Sequence, residues 1–356
     1  MKILISGICG FAGSSIAHGL LDADSTLEIV GLDNFSRSGS HLNIEPLRKR
    51  GVKLVHADLR IPSDLESIPA IEWIIDAAAN PSVLAGVDET TSSRQLIEHN
   101  LYGTVNLLEL AKRFQAGFLL ISTSRVYSLN ALTSLPFVLR GERFEPDPTV
   151  PLPSGVSSKG VAESFSTAPP LSLYGSSKLA SECVALEYGE AFRFPVWINR
   201  CGVLAGAGQF GKADQGIFSF WIHAYRNRAP LKYIGFEGSG HQTRDCLHPR
   251  DLVPVLQQQM AARESSRPRI MNFAGGPENS MSLAELSQWC EKRFGLHHVA
   301  ADPKPRPFDV PWLVLDSSLA RENWDWQPAT SLEMILEEIA RHAESHPCWL
   351  EISTAL

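Results

Sequence analysis

A doubly wound α/β fold, a Rossmann-like parallel sheet followed by a smaller mixed α/β C-terminal substrate domain, is predicted from three observations. Short apolar runs alternate with helix-periodic stretches through the first half of the chain. Those runs are continuous rather than alternating, so both faces of each strand are expected to be buried, as in a parallel sheet. A glycine-rich turn joins the first apolar run to the first helical pattern.

The candidate strands are KILIS, EIVGLD, KLVHAD, WIIDAAA and FLLIST. Between them SSIAHGLLDAD, HLNIEPLRKRG and SSRQLIEHNLYGTVNLLELAKRF carry helical patterns, the last over the greatest length. From Leu129 to Leu173 seven prolines break the periodicity, which predicts either a lid or an ordered surface excursion. A helix from about Leu173 to Ala191, the strand VWINRC and a final helix SLEMILEEIARHAESH follow. Residues 1–180 are therefore expected to form a nucleotide-binding unit, with 129–173 as its Pro-rich insertion and 196–201 returning to its sheet. Residues 181–356 are expected to form the smaller unit.

With 356 residues, a net charge of -7 and no run of Lys or Arg, the chain is not expected to bind nucleic acid or an anionic membrane. No apolar stretch is long enough to span a bilayer. MKILISGICG reads as a first strand, because glycines interrupt it too early for a signal peptide. Six scattered cysteines without a C-x-x-C pair suggest free thiols and a cytoplasmic location. The eleven histidines show no ligand spacing, and no metal is expected.

SGICGFAG places Gly7, Gly10 and Gly13 between the first strand and the first helix. There the backbone can turn tightly and approach a pyrophosphate seated on the N–H groups of the helix N-terminus. Asp33 ends the second strand, where a carboxylate accepts from ribose hydroxyls and repels a 2′-phosphate, so NAD is favoured over NADP. Arg37 is read as facing solvent or the pyrophosphate, and Asp58 as reaching the adenine amine or serving as a turn residue.

YGSSKLASE sets Tyr174 and Lys178 four residues apart on one helix face. A phenol titrates near pH 10, and a neighbouring ammonium brings its phenolate into working range. Tyr174 then suits the task of removing a proton from a substrate hydroxyl as hydride leaves the same carbon. Thr123, at the edge of the preceding strand, can hydrogen-bond the same oxygen.

These pieces resemble the extended short-chain dehydrogenase/reductases, and within them the nucleotide-sugar epimerases. The likeness rests on SGICGFAG, GLDNFSRSG, HADLR, DAAANPSV, HNLYGTVNLLE, STSRVYS, YGSSK, RDCLHPRDL, MNFAGG and PRPFD, and it spans nearly the whole chain. It implies Thr123, Tyr174 and Lys178 as catalytic hydroxyl, base and lysine, and a nucleotide-diphosphate sugar as substrate. It extends the cofactor set to Phe11, Ala12, Asn34, Leu59, Ala77, Ala78, Ala79, Asn100 and Cys201. On the substrate side it implies Pro81, Ser82 and Arg125, with Arg244 and Arg306 gripping the diphosphate. GAGQFGKADQGIFSFW is similar to the CDP-sugar 2-epimerase branch and adds Gln209, Phe210, Asp214 and Gln215. A homodimer or homotetramer is implied as well.

The sequence departs from the family pattern at Asp76, where many relatives carry His, at Leu173 in place of a frequent Pro, and at Val203. Galactose-type 4-epimerases place a sugar-binding Asn at the position of Val203. Dehydrating relatives follow the catalytic hydroxyl with an acid, where this chain has Ser124 and Arg125, and a guanidinium cannot act as a base. Two other readings are a reductase or dehydrogenase that exchanges its cofactor each turnover, and a non-catalytic NAD sensor. The presence of both Tyr174 and Lys178 counts against the sensor.

Overall fold

The structure is a computed structural model that describes residues 1–87 and 92–354. The last two residues of the expected smaller unit lie outside the described residues. Six strands of the large sheet are, in chain order, Lys2–Ser6 (β1), Glu28–Asp33 (β2), Lys53–His56 (β3), Trp73–Asp76 (β4), Gly117–Thr123 (β5) and Val196–Cys201 (β6). Val203–Leu204 (β7), Thr243–Leu247 (β8), Ile270–Phe273 (β9), Ser280–Ser282 (β10) and Trp312–Leu313 (β11) follow. One seven-stranded sheet has the order β9-β6-β5-β4-β1-β2-β3, and every pairing in it is parallel. The strand order reverses at β1, which lies between β2 and β4, so the ligand crevice of such a sheet opens there.

Successive strand residues point to opposite faces, and both faces are covered. Ile3 and Ile5 pack into one core with helix α1 (Phe11–Ala23), while Leu4 packs into the other with helices α2 (Gly103–Phe114) and α3 (Leu173–Phe192). This two-sided burial is the physical origin of the continuous apolar runs in the sequence.

The expected boundary at residue 180 falls inside α3, which runs unbroken. Besides β6, the edge strand β9 also belongs to the large sheet. Val253 and Leu256, on a helix spanning Val253–Ala261, pack in the α1 core. The smaller unit is a second sheet in which β8 pairs with β7 and β11 in parallel and with β10 antiparallel. Its core is closed by helices α4 (Ile217–Arg226), α5 (Leu283–Phe294) and α6 (Leu332–Ser345).

The Pro-rich excursion is folded. It holds a short helix at Leu129–Thr133 and a hairpin of Phe137–Arg140 with Arg143–Pro146. The hairpin is tied to the smaller unit by Arg143, whose Nε lies 2.8 Å from Glu285 Oε1. Phe144 packs on Phe236 and His241, and its carbonyl accepts from Thr243 Oγ1 at 2.8 Å. Among the described residues, no helix is long and apolar enough to cross a membrane.

His223 on α4 is fully buried, and its Nε2 meets His342 Nδ1 on α6 at 3.2 Å. Burial, with further cation repulsion from each other's surroundings, pushes His223 down to about 3 and His342 to about 4. Both are therefore neutral in the folded protein at neutral pH. Below pH 6.5 the unfolded chain takes up protons that the folded chain refuses, so stability falls with pH and levels off only near pH 3–4. The melting temperature should drop as pH falls from 6.5 to 4, and His223→Gln should flatten that drop. Thermal melts of both proteins across that pH range check the expectation.

Candidate active site

The predicted cofactor residues lie together along the carboxyl edge of the large sheet. Gly7 follows β1, Asp33 ends β2, Asp58 follows β3, Ala77 to Ala79 follow β4, Thr123 ends β5 and Cys201 ends β6. Gly7 has φ 60°, and a Cβ there would lie 2.9 Å from the Cα of Ala78. A Cβ on Gly13 would lie 2.3 Å from the Gly7 carbonyl oxygen, so α1 closes onto the turn only without a side chain. Gly10 caps α1 with no side-chain acceptor, which leaves the N–H groups of Phe11 and Ala12 to the cleft. Asp33 braces the same turn: its Oδ2 accepts from Cys9 N at 2.9 Å and its Oδ1 from Phe35 N at 2.8 Å. A cradle that any Cβ would fill, an uncapped helix start and a carboxylate beside them fit a dinucleotide.

Other predicted positions are already occupied. Asp58 accepts Arg60 N and Nε on Oδ1, and Arg60 NH2 and Asn34 Nδ2 on Oδ2. Its four acceptor sites are filled, which makes it a turn carboxylate rather than a free acceptor for an adenine amine. The Arg60 guanidinium holds its pKa well below the usual carboxylate range. Arg37 does not face solvent, because its guanidinium donates to the carbonyl of Phe210. Leu59 packs on Gly103, and its carbonyl accepts from Asn106 Nδ2 at 2.6 Å. Cys201 Sγ is buried and turned to the Asn199 carbonyl.

Tyr174 and Lys178 both lie on the first turns of α3, buried at 8% and 2% exposure. The helix starts at Ser172, whose Oγ accepts from Gly175 N at 3.0 Å. A Cβ on Gly175 would lie 2.3 Å from the carbonyl oxygen of Arg125, so α3 begins in direct contact with the turn after β5. Burial raises the Tyr174 phenol, while the neighbouring Thr123 hydroxyl and the charge of Arg125 draw it down. Burial lowers the Lys178 ammonium against the opposing charges of Asp76 and Glu182.

Asn100 sits in a π-helical turn, Glu98–Tyr102, that leads into α2. It bridges the loop after β4 to α3: Oδ1 accepts from Asn80 N at 2.8 Å and Nδ2 donates to Ser177 Oγ at 3.1 Å. Asp76 is fixed by Ser6 Oγ and Thr104 Oγ1, each at 2.7 Å. Ser6 in turn accepts from Ala77 N and Ala78 N.

On the substrate side, Arg244 donates to Asp309 Oδ1 at 2.7 Å and to the Val310 carbonyl at 2.8 Å. Arg306 donates to the Ala213 carbonyl at 3.1 Å, and Arg125 to the Phe308 carbonyl at 3.2 Å. Ser82 Oγ donates to Asp214. Gln209 Nε2 donates to Leu204 O, while Gln215 closes a tight turn with Lys212. Phe210 is a packing residue here, stacked on Trp349 at 5.2 Å, and only its carbonyl is offered to Arg37. Pro81 is exposed beside Ser82.

Sequence reasoning missed a buried network beneath the site. Glu182 on α3 takes Arg200 Nε and NH2 on β6 and the hydroxyl of Ser122 on β5. Arg200 also reaches Tyr127 OH, which donates to Asn272 Oδ1 at 2.7 Å. Two signals were present: Glu182 continues the four-residue spacing of Tyr174 and Lys178, and Arg200 is a charge inside an apolar strand.

Residues 3–274 match the NAD dependent epimerase/dehydratase family, and the chain belongs to it. The chain is 28% identical over 344 residues to CDP-paratose 2-epimerase of Salmonella typhi, covering 93% of this chain and 96% of that protein. It is 25% identical to a probable UDP-glucuronate 4-epimerase of Rhizobium meliloti, covering 97% and 96%. In fold it is similar to UDP-glucuronic acid 4-epimerase from Bacillus cereus, solved with UDP-glucuronic acid and NAD. That likeness has a TM-score of 0.75 at 24% identity over 97% and 99% of the two chains. The protein is thus an NAD-dependent enzyme of the epimerase/dehydratase family.

Removing one partner of the Glu182–Arg200 pair strands a charge at 5% exposure or less. Glu182→Ala should cost about 3–5 kcal/mol of stability, measured by urea denaturation.

Proposed function

We propose that this chain is an NAD-dependent epimerase of a nucleoside-diphosphate sugar, which inverts one ring carbinol through a transient ketone. The carrying observation is the buried Tyr174–Lys178 pair at the start of α3, with Thr123 and Arg125 beside the phenol. Thr123 and Tyr174 hold the carbinol oxygen, and Tyr174 takes its proton. Lys178 and Arg125 favour the phenolate that does so. Bound in the glycine cradle, NAD supplies a hydride acceptor and then a hydride donor. After the ketone has turned, Tyr174 returns the proton to the new alkoxide, so the reaction is an isomerisation with no net oxidation. Arg244 and Arg306 steady the diphosphate, since a guanidinium fork matches phosphate oxygens.

Elimination of water needs a further acid/base group, and positions 124 and 125 offer a serine and an arginine. Inversion at C2 of a CDP-linked sugar is the finer reading. It is supported by the segment 206–221 and by the full-length likeness to CDP-paratose 2-epimerase. Inversion at C4 is the second reading, favoured by the UDP-glucuronate 4-epimerase relatives.

Purified protein is expected to carry NAD, and Tyr174→Phe should keep the cofactor while losing about 10²–10⁴ in kcat. Retained activity in that variant would sink the assignment. Because the phenol must be deprotonated to act, activity rises with pH through its pKa. Lys178→Met removes a cation and should move that rise to higher pH in a kcat profile. Substrates deuterated at C2 or C4 decide the carbon: a primary isotope effect at one of them names it, and net reduction of NAD would instead indicate a dehydrogenase.

A further inference from the structure

Three guanidinium groups converge beyond Tyr174, and they are not equivalent. Arg244 has its counter-charge in Asp309 at 2.7 Å. Arg306 is anchored to Ala213 in the segment that crosses from the substrate side. Arg125 stands nearest the reacting end. It follows Thr123 by two residues, its N–H donates to Thr123 Oγ1 at 3.2 Å, and its carbonyl touches Gly175. Its partly buried guanidinium has five N–H donors. Among the described residues it is assigned one acceptor, the neutral carbonyl of Phe308, and no carboxylate within ion-pair distance.

Phe308 holds φ 60°, a conformation bulky side chains rarely adopt, so the loop is shaped to aim that carbonyl at Arg125. The remaining donors face a charge deficit: Arg244 and Arg306 add repulsion, and Asp309 is already engaged by Arg244. A partly buried guanidinium in that position calls for an anion with two oxygens in a plane. Arg244 and Arg306, to which the proposed function gives the diphosphate, lie on β8 and on the loop before β11, whereas Arg125 lies in the turn that follows Thr123.

We propose that Arg125 is a specificity-determining residue that binds a carboxylate on the sugar, so that the substrate class is a nucleoside-diphosphate uronate. The proposal rests on the epimerase reading and concerns only the sugar.

The test uses NAD-loaded protein with UDP-glucuronate and UDP-galacturonate against UDP-glucose and UDP-galactose, and with the CDP-linked counterparts. Epimerisation is followed by NMR, and binding by calorimetry with UDP alone as a further ligand. The uronates should exceed the neutral sugars in kcat/KM, and Arg125→Gln should lower that ratio by about 10- to 100-fold, as for a lost hydrogen bond to a charged group. Arg125→Lys should recover part of it. A structural role for Arg125 would lower both sugars alike and leave the ratio unmoved, which overturns the proposal. Loss of UDP affinity equal to the loss of uronate affinity assigns Arg125 to the diphosphate and also overturns it. Turnover of neutral sugars alone overturns the carboxylate assignment and leaves the epimerase reading intact. Turnover of no nucleotide sugar by protein that retains NAD overturns both.

Discussion

The geometry of the candidate site depends on one buried ion pair, Glu182 with Arg200. Tyr174, Lys178 and Glu182 form a stripe down one face of α3 at four-residue intervals, carrying a phenol, an ammonium and a carboxylate. The carboxylate is the anchor. It joins the helix to β6 through Arg200 and to β5 through Ser122, with both charged partners at 5% exposure or less. Desolvating such a pair is expensive, and it is tolerated here because Ser122 and Tyr127 satisfy atoms that the pair leaves over. Two turns along, the same helix face presents Tyr174 to Thr123. The strand that supplies Thr123 also supplies Ser122, so nucleating the ion pair sets the distance between the two hydroxyls.

A second set of contacts fixes the opposite wall. The segment 209–215 receives Arg37 from the loop after β2, Ser82 from the loop after β4 and Arg306 from the loop before β11. Each contact involves a residue implicated by sequence in either cofactor or substrate binding. The two halves of the cleft are therefore joined through side chains that also line it, and the Pro-rich excursion is docked on the smaller unit through Arg143 and Phe144.

The large sheet was legible because burial on two faces leaves continuous apolar runs, and β1, β2 and β6 begin and end where those runs do. The glycine turn and the Tyr174–Lys178 spacing were legible for the same reason, since local geometry dictates the residue type. The hairpin at 137–146 was not. Its strands are four residues long, the first largely exposed and the second half-buried throughout, so no apolar alternation marks them. Long-range pairings were also invisible. Nothing local in Arg37 points to Phe210, and nothing in Asp58 shows that Arg60 and Asn34 fill its oxygens. The cut at residue 180 erred because α3 serves the large sheet along its whole length, and because β9 returns to it after a long detour.

The π turn at Glu98–Tyr102 acts as a phase shifter between two helical segments. An α-helix advances about 100° per residue, so one extra residue in a single turn rotates everything beyond it by that amount relative to everything before. Upstream, Leu96 is directed inward; downstream, Leu107, Leu108 and Ala111 face the sheet core. Asn100 lies at the offset itself, where its amide reaches Asn80 and Ser177 together. Deleting one residue from this turn would restore an uninterrupted helix and put its two halves out of register. Either the apolar stripe of α2 or the amide of Asn100 would then face the wrong way, although no residue in contact with substrate had changed.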